Sequence, residues 1–220
     1  MARIKPTRRE KLEDTRRALF SSAIAVVGEE GYAAASVTKI TARALVANGT
    51  FYNYFENRQD LFDQLLPALG DRLLEHIRSQ LDDSVTGLER ERARITAYFD
   101  FCRSTPGFLR ILNEAEVFAP AAYHRHVRQF YEGYHRSLRR SLAKGEIEGF
   151  SEDDLGPIVF MLMGMRSYMT MLHKYEYIDH QALTLERLID VYCKFVSQGL
   201  YKKQPDRKTA RPKARRPASS

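Results

Sequence analysis

The chain has 220 residues, 44% of them apolar, enough to fill the core of one large domain, or of a small domain joined to a larger one, without stabilising disulfides. Cys102 and Cys193 lie 91 positions apart and form no CxxC pattern, which excludes a disulfide scaffold and fits reduced core thiols of a cytoplasmic protein. The net charge of +7 is uneven, with +4 on residues 1–17, +7 on residues 202–220 and −4 on the remainder, so basic ends flank an acidic body. That pattern fits a polyanionic partner met at the ends, and equally a solubilising tail. MARIKPTRREK is followed by no apolar run of signal-peptide type, and the most apolar stretch, Ile158 to Met165, is far shorter than the roughly 20 residues that cross a bilayer.

In chain order the sequence reads as all-α, with no alternating strands and no NG or DG hairpin. Thr7-Arg8-Arg9-Glu10 has the form of a capping box and opens a first helix, with Leu12, Leu19, Ala23, Val26 and Val27 on one face and Gly31 as its stop. Ser36 caps a second, whose apolar face is Val37, Ile40 and Ala44. A short helix is expected over Asn48 to Tyr54. Asn57 then opens a long one, with Leu61, Leu65, Leu69, Leu73, Ile77 and Leu81 at four-residue steps, and Pro67 is expected to kink or divide it at Leu66. Ser84 to Gly87 is a polar break. Beyond it helices are predicted at Glu89–Arg103, Pro106–Val117, Pro120–Lys144, Ser151–Lys174 and Leu183–Tyr201, and the Lys/Arg/Pro/Ala/Ser tail from 202 to 220 is expected to be disordered.

Two short helices a few residues apart, behind a first helix, have helix-turn-helix spacing, in which the second of the pair enters the major groove. The stretch ALVANGTFYNYF supplies the parts. Phe51 and Phe55, four apart, face inward and anchor the helix. Thr50, Tyr52 and Tyr54 offer hydroxyls to phosphates, Asn48 or Asn53 can read a base edge, and Gly49 lets the backbone come close to DNA.

From about Thr15 to Leu66 the chain resembles the TetR-type transcriptional regulators. The specific fragments are GY at 31–32, SVTKIT at 36–41, GTFYNYF at 49–55 and N-R-x-x-L at 57–61. The resemblance implies a helix-turn-helix DNA-binding domain over 12–72, with the motif at about 36–55, after a basic segment at 1–14. It also implies a helical ligand-binding and dimerisation domain over 73–201. It places DNA contacts at Thr38, Arg43, Thr50, Tyr52 and Tyr54, mostly to the backbone, and at Arg58 from the start of the fourth helix. Ser36, Ala47, Asn48, Gly49 and Asn53 complete the expected surface. Many members have glycine where this chain has Leu45. Either Leu45 takes left-handed strain of about 1–2 kcal/mol, or the turn has another shape with the leucine packed inward.

The C-terminal part is rich in Phe, Tyr and Met, residues that suit an adaptable apolar cavity as well as an ordinary core. Phe99, Phe108, Leu112, Glu116, Phe130, Tyr134, Met161, Met165, Tyr168 and Met169 are the candidate lining for a small apolar or aromatic effector, with Arg166, Tyr168, His173 or Glu116 as polar anchors. Family members dimerise through their last two long helices, which here suggests Gly164, Leu185, Ile189, Tyr192 and Val196 for a homodimer interface.

His124, His126 and His135 have no ligand partners at metal spacing, and no P-loop, GxGxxG, GxSxG or triad occurs, so neither metal, cofactor nor catalysis is expected. The reading is a cytoplasmic dimeric repressor that binds an operator in double-stranded DNA, is released by its effector and meets no membrane. Two alternatives stand beside it: a helical enzyme or small-molecule carrier, and a family member whose DNA binding is only non-specific.

Overall fold

In the computed structural model, which describes residues 7–82, 84–174 and 183–199, the elements are helical. They run α1 (Arg8–Glu30), α2 (Val37–Arg43), α3 (Asn48–Phe51), α4 (Arg58–Gln80), α5 (Gly87–Ser104), α6 (Phe108–Phe118), α7 (Pro120–Ala143), a 3-10 turn (Glu152–Asp154), α8 (Leu155–Lys174) and α9 (Leu185–Gln198). The expected tail at 202–220 lies outside the described residues.

The helix starts follow local chemistry. Thr7 accepts from the Glu10 amide while the Glu10 carboxylate accepts from the Thr7 amide, closing the capping box. Ser36 and Asn57 cap α2 and α4 through the amides of Lys39 and Asp60. From α1, Leu19, Ala23, Val26 and Val27 are buried, but Leu12 is exposed because the first turns project beyond the packed body. From α4, Leu61, Leu65, Leu69, Leu73 and Ile77 form the buried ladder that the four-residue spacing predicts.

Pro67 neither divides α4 nor ends it. Proline has no amide hydrogen, so the carbonyl of Asp63, four residues back, loses its helical donor. The Arg125 guanidinium of α7 fills that vacancy, donating to the Asp63 carbonyl at 2.9 Å. One turn on, Gly70 lets α7 approach: a methyl there would stand 2.6 Å from His126 Nδ1. Burial, then the nearby Arg166 charge, press the His126 pKa down to about 4, so this imidazole packs neutral against Phe130.

A second junction joins α1 to α6. A methyl on Gly28 would stand 2.4 Å from the Gly107 Cα, so only glycine fits this crossing. Arg110 donates to the Glu29 carbonyl at 2.5 Å, and Glu114 accepts from the Tyr32 amide at 2.8 Å. One apolar cluster consequently runs from Leu19 to Phe130, and α4 passes through it unbroken. A second cluster joins Ile95, Phe99, Tyr134, Val159, Leu162, Ile189, Tyr192 and Cys193 from α5, α7, α8 and α9. At its edge Glu91 accepts from Tyr192 at 2.6 Å, from Tyr134, and from Arg94 at 2.5 Å, so this buried carboxylate is fully partnered.

The stretch Glu152–Lys174 is long and apolar enough to cross a membrane by length and composition, in contrast to the short run expected from sequence. Its apolar groups serve two faces: Leu155, Val159 and Leu162 pack inward, while Pro157, Phe160, Met161, Gly164 and Tyr168 form one outward strip.

Candidate nucleic-acid interface

The motif is assembled from the inside out. Ile40 and Thr41 of α2 and Phe51 of α3 are buried, as is Phe55 beyond it, with the Phe51 and Phe55 rings 5.3 Å apart. The predicted inward anchors are therefore in place. The outer surface consists of Thr38, Lys39, Ala42, Arg43, Leu45, Ala47, Asn48, Gly49, Tyr52 and Asn53, all exposed, with Ser36, Thr50 and Tyr54 half-buried beside them. No Asp or Glu occurs between residues 31 and 55.

The recognition helix is shorter than expected. Its α-helical part covers only Asn48–Phe51, and Asn53 and Tyr54 continue it through bonds to the carbonyls three residues back, at 3.2 and 3.0 Å. This tighter winding still carries Phe55 back to the core, its amide bonding the Phe51 carbonyl at 3.1 Å.

Leu45 takes the strained alternative. It has φ 57 and is 92% exposed, so the turn keeps the shape that glycine usually supplies, and the leucine side chain gains no packing for it.

Five of the predicted contact residues, Ser36, Thr38, Arg43, Asn48 and Arg58, already have partners for their side chains within the protein. The Asn48 amide bridges the helix pair: its oxygen meets the Thr41 hydroxyl, and its nitrogen donates to Thr38 Oγ1 at 3.3 Å. Asn48 therefore holds α3 on α2, leaving Asn53 as the free amide on the surface. Arg43 makes a two-pronged pair with Glu29 at 2.5 and 2.7 Å, which lowers the Glu29 pKa and raises that of Arg43. Arg58 donates to the Ala35 carbonyl at 3.1 Å and lies 5.2 Å over the Phe62 ring, pinning the start of α4 to the loop before α2. Sequence reading missed Lys39, which is exposed on the same face and pairs with Glu30. Its basic side chain at the third position of α2 was the available signal.

Gly49 is the informative residue. A methyl built on it meets no protein atom within 4 Å, so nothing inside the fold requires glycine there. Ala47, just before α3, gives no side-chain cap, although Ser36 and Asn57 cap the helices on either side.

Of the proposed ligand residues, Phe130 and Tyr134 line a cavity of about 510 Å³ between α4, α7 and α8. Phe99 and Phe108 are buried in the two cores, Leu112 packs against the first and Met165 and Met169 against the second. Glu116, Met161 and Tyr168 are exposed, Tyr168 to 61%. The wall that sequence reading missed comes from the end of α4, through Leu74, Ile77 and, just past the helix, Leu81. Of the anchors, Arg166 is present in the wall. Of the interface residues, Gly164 and Val196 are exposed, but Ile189 and Tyr192 are buried in the protomer's own second core, with Leu185 packed on it. The outward strip of α9 is instead Val191 and Phe195.

Residues 19–65 match the profile of the bacterial regulatory proteins of the tetR family. The fatty acid metabolism regulator protein of Bacillus subtilis is 30% identical over 81 residues, a match that spans 37% of this chain and 42% of that protein. The nucleoid occlusion factor SlmA of Sodalis glossinidius is 26% identical over 158 residues, 70% of this chain and 78% of that protein. Among solved structures, the fatty acid degradation regulator FadR from Bacillus halodurans superposes with a TM-score of 0.72 at 22% identity, covering 91% of this chain and all of that one. The Bacillus subtilis FadR, solved in complex with stearoyl-CoA, gives 0.71 at 20% identity over 84% of this chain and all of that one. The motif at 36–55 stands in the segment that matches the tetR family, residues 19–65, and the helical body shares the fold of these solved regulators.

Proposed function

We propose that the protein is a dimeric, ligand-responsive DNA-binding repressor that docks α3 in the major groove of a pseudo-palindromic operator. The observation that carries this reading is Gly49, a glycine in the first turn of the exposed recognition helix with open space where its side chain would be. Glycine in a helix costs up to about 1 kcal/mol against alanine, and here no internal contact offsets it. A backbone surface that must lie close to an external partner does. Thr50, Tyr52, Asn53 and Tyr54 surround it with donors suited to phosphates and base edges, in a stretch, residues 31–55, that carries no acidic side chain.

The outward strips of α8 and α9 support an isologous dimer. Phe160, at 57% exposed, Met161, Tyr168, Val191 and Phe195 form an apolar surface, and at Gly164 a methyl would meet nothing within 4 Å. Two copies would set two recognition helices about 34 Å or more apart, one DNA turn or a multiple. Tyr168→Glu should move the protein from dimer to monomer in sedimentation velocity; unchanged dimer would place the interface elsewhere.

The cavity between α4, α7 and α8 supports an effector with an apolar body, and the fatty-acid regulators among the relatives make an acyl chain the first candidate. This role needs no catalysis, so the effector should be recovered unchanged after incubation. The test of the whole reading is fluorescence anisotropy with the duplex upstream of the protein's own coding region against a scrambled duplex, at two salt concentrations. Preference that survives the higher salt bears the reading out. Equal binding that salt erases assigns the affinity to charge alone.

A further inference from the structure

From the side chains that surround the cavity between α4, α7 and α8, we infer that its ligand is an amphipathic anion, an acyl chain whose carboxylate pairs with Arg166. This deepens the ligand-responsive reading and rests on it for the cavity's role, but it is tested without DNA. Leu74 and Ile77 of α4, with Leu81 just past its end, stand along one wall, and Phe130 and the Tyr134 ring of α7 form another. These groups fit hydrocarbon. The charged part of the lining is entirely cationic, with arginines from α4, α5, α7 and α8 and no Asp or Glu among the lining residues.

The arginines are not equivalent. Arg94 is neutralised by Glu91 and also donates to Ser137 at 2.8 Å. Arg139 pairs with Glu152 at 2.8 Å and Arg136 with Glu132 at 3.8 Å. Arg166 is 7% exposed, its Nε is buried without a hydrogen-bond acceptor, and no carboxylate among the described residues pairs with it. What it has is aromatic: its guanidinium lies 4.2 Å over the Tyr98 ring and 5.9 Å from that of Phe130. A guanidinium does not lose its proton, so it cannot relieve burial as a lysine or histidine would. The neighbouring His126 cannot help, because it carries no negative charge in any state. A buried cation of this kind is costly to the fold and gains most from an anion brought into the same low-dielectric space. A carboxylate offers two oxygens to the planar fork of the guanidinium, the pairing of best geometry. The single positive charge at depth selects a compact single anion, and Leu74, Ile77 and Leu81 receive the tail.

The test is calorimetric titration of the full chain with decanoate, 1-decanol and decanoyl-coenzyme A, which share the ten-carbon chain and differ in the head. Decanoate should bind at least about tenfold more tightly than the alcohol, as a charge-assisted pair at a buried site requires. In Arg166→Met that preference should disappear while the alcohol still binds. Thermal melting provides the folding check, since replacing an uncompensated buried charge by an apolar side chain of similar length should leave the melting temperature unchanged or raise it. Equal affinity for acid and alcohol in the unaltered protein overturns the proposal, as does an acid preference that persists in a folded Arg166→Met. Tighter binding of the thioester, unaffected by Arg166→Met, overturns it too and moves the anion site to the arginines at the mouth. Loss of DNA binding would bear on none of these outcomes.

Discussion

Replacing Gly49 by alanine separates what the fold needs from what the operator needs. The backbone at Gly49 does not lie in the left-handed region, and a methyl there has no protein atom within 4 Å. Alanine is therefore strain-free. It should stabilise the protein by about 0.4–1 kcal/mol, through its better helix propensity and the smaller entropy of its unfolded chain. For a chain of this size that is a rise of about 1–4 °C in melting temperature. Against DNA the sign reverses. A methyl pushed into a well-packed contact costs about 1–3 kcal/mol, and a two-fold dimer meets the cost twice. The total of about 2–6 kcal/mol corresponds to a loss of operator affinity between about 30-fold and four orders of magnitude. Calorimetry gives the first number and fluorescence anisotropy on the operator duplex the second. A variant that is more stable and binds the operator as tightly as the original would refute the placement of the first turn of α3 against DNA.

Glu29→Gln should release Arg43 from its two-pronged pair, tightening DNA binding several-fold at low salt and steepening the logarithmic salt dependence by about one per protomer. An unchanged slope in a salt titration would mean that Arg43 meets no phosphate. Leu45→Asn should stabilise the protein by about 1 kcal/mol, because asparagine tolerates φ 57 and the leucine has no contacts to lose. A denaturant midpoint that falls instead would refute strain in the turn. His126 has a folded pKa of about 4 against an ordinary 6.5, so the unfolded chain binds the proton first as pH drops. Its contribution to stability is full above pH 6.5 and is lost toward pH 4, by about 3 kcal/mol. Arg166 and Asp71 are the charges that act on it. His126→Phe should flatten that part of the stability–pH curve; a variant curve parallel to the original would show that the carboxylates account for all of the acid loss.

What sequence could reveal divides according to range. The caps at Thr7, Ser36 and Asn57 and the leucine ladder of α4 depend on neighbours within a few residues, and the structure has all of them. Pro67 depends on Arg125, 58 residues away, and no local rule identifies the donor that replaces a missing amide. The inward or outward direction of α8 was equally hidden. Apolar residues surround that helix, so its spacing carries no phase, and Met161 and Tyr168 read as lining although they face outward. On α9 the same ambiguity had the opposite effect, since Ile189 and Tyr192 turn into the protomer. Arg166 was legible because a charge amid apolar neighbours needs a reason, although only the packing shows that Glu91 is already committed to Arg94, Tyr134 and Tyr192.

The positions of the cavity and of the motif give α4 its importance. At 23 residues it is about 34 Å long. Its first turn is pinned beside α2 by Arg58 on the Ala35 carbonyl, its middle is held to α7 at Pro67 and Gly70, and its end supplies Leu74, Ile77 and, just past the helix, Leu81 to the cavity. The contact between Gly28 and Gly107 fixes α1 to α6 with no side chain between them, so the motif cannot slide freely along the body. A ligand that spreads the α4–α7 wall therefore acts on a continuous helix whose other end carries the loop before α2. Whatever factor such a ligand takes from operator affinity, the operator must take from ligand affinity, because linkage makes the coupling of two sites reciprocal. Arg125→Met removes the donor at Pro67 while leaving both sites untouched. It should weaken that reciprocal factor, read as the ratio of operator affinities with and without ligand, and change each separate affinity much less. An unchanged ratio would locate the coupling in the α1–α6 junction instead.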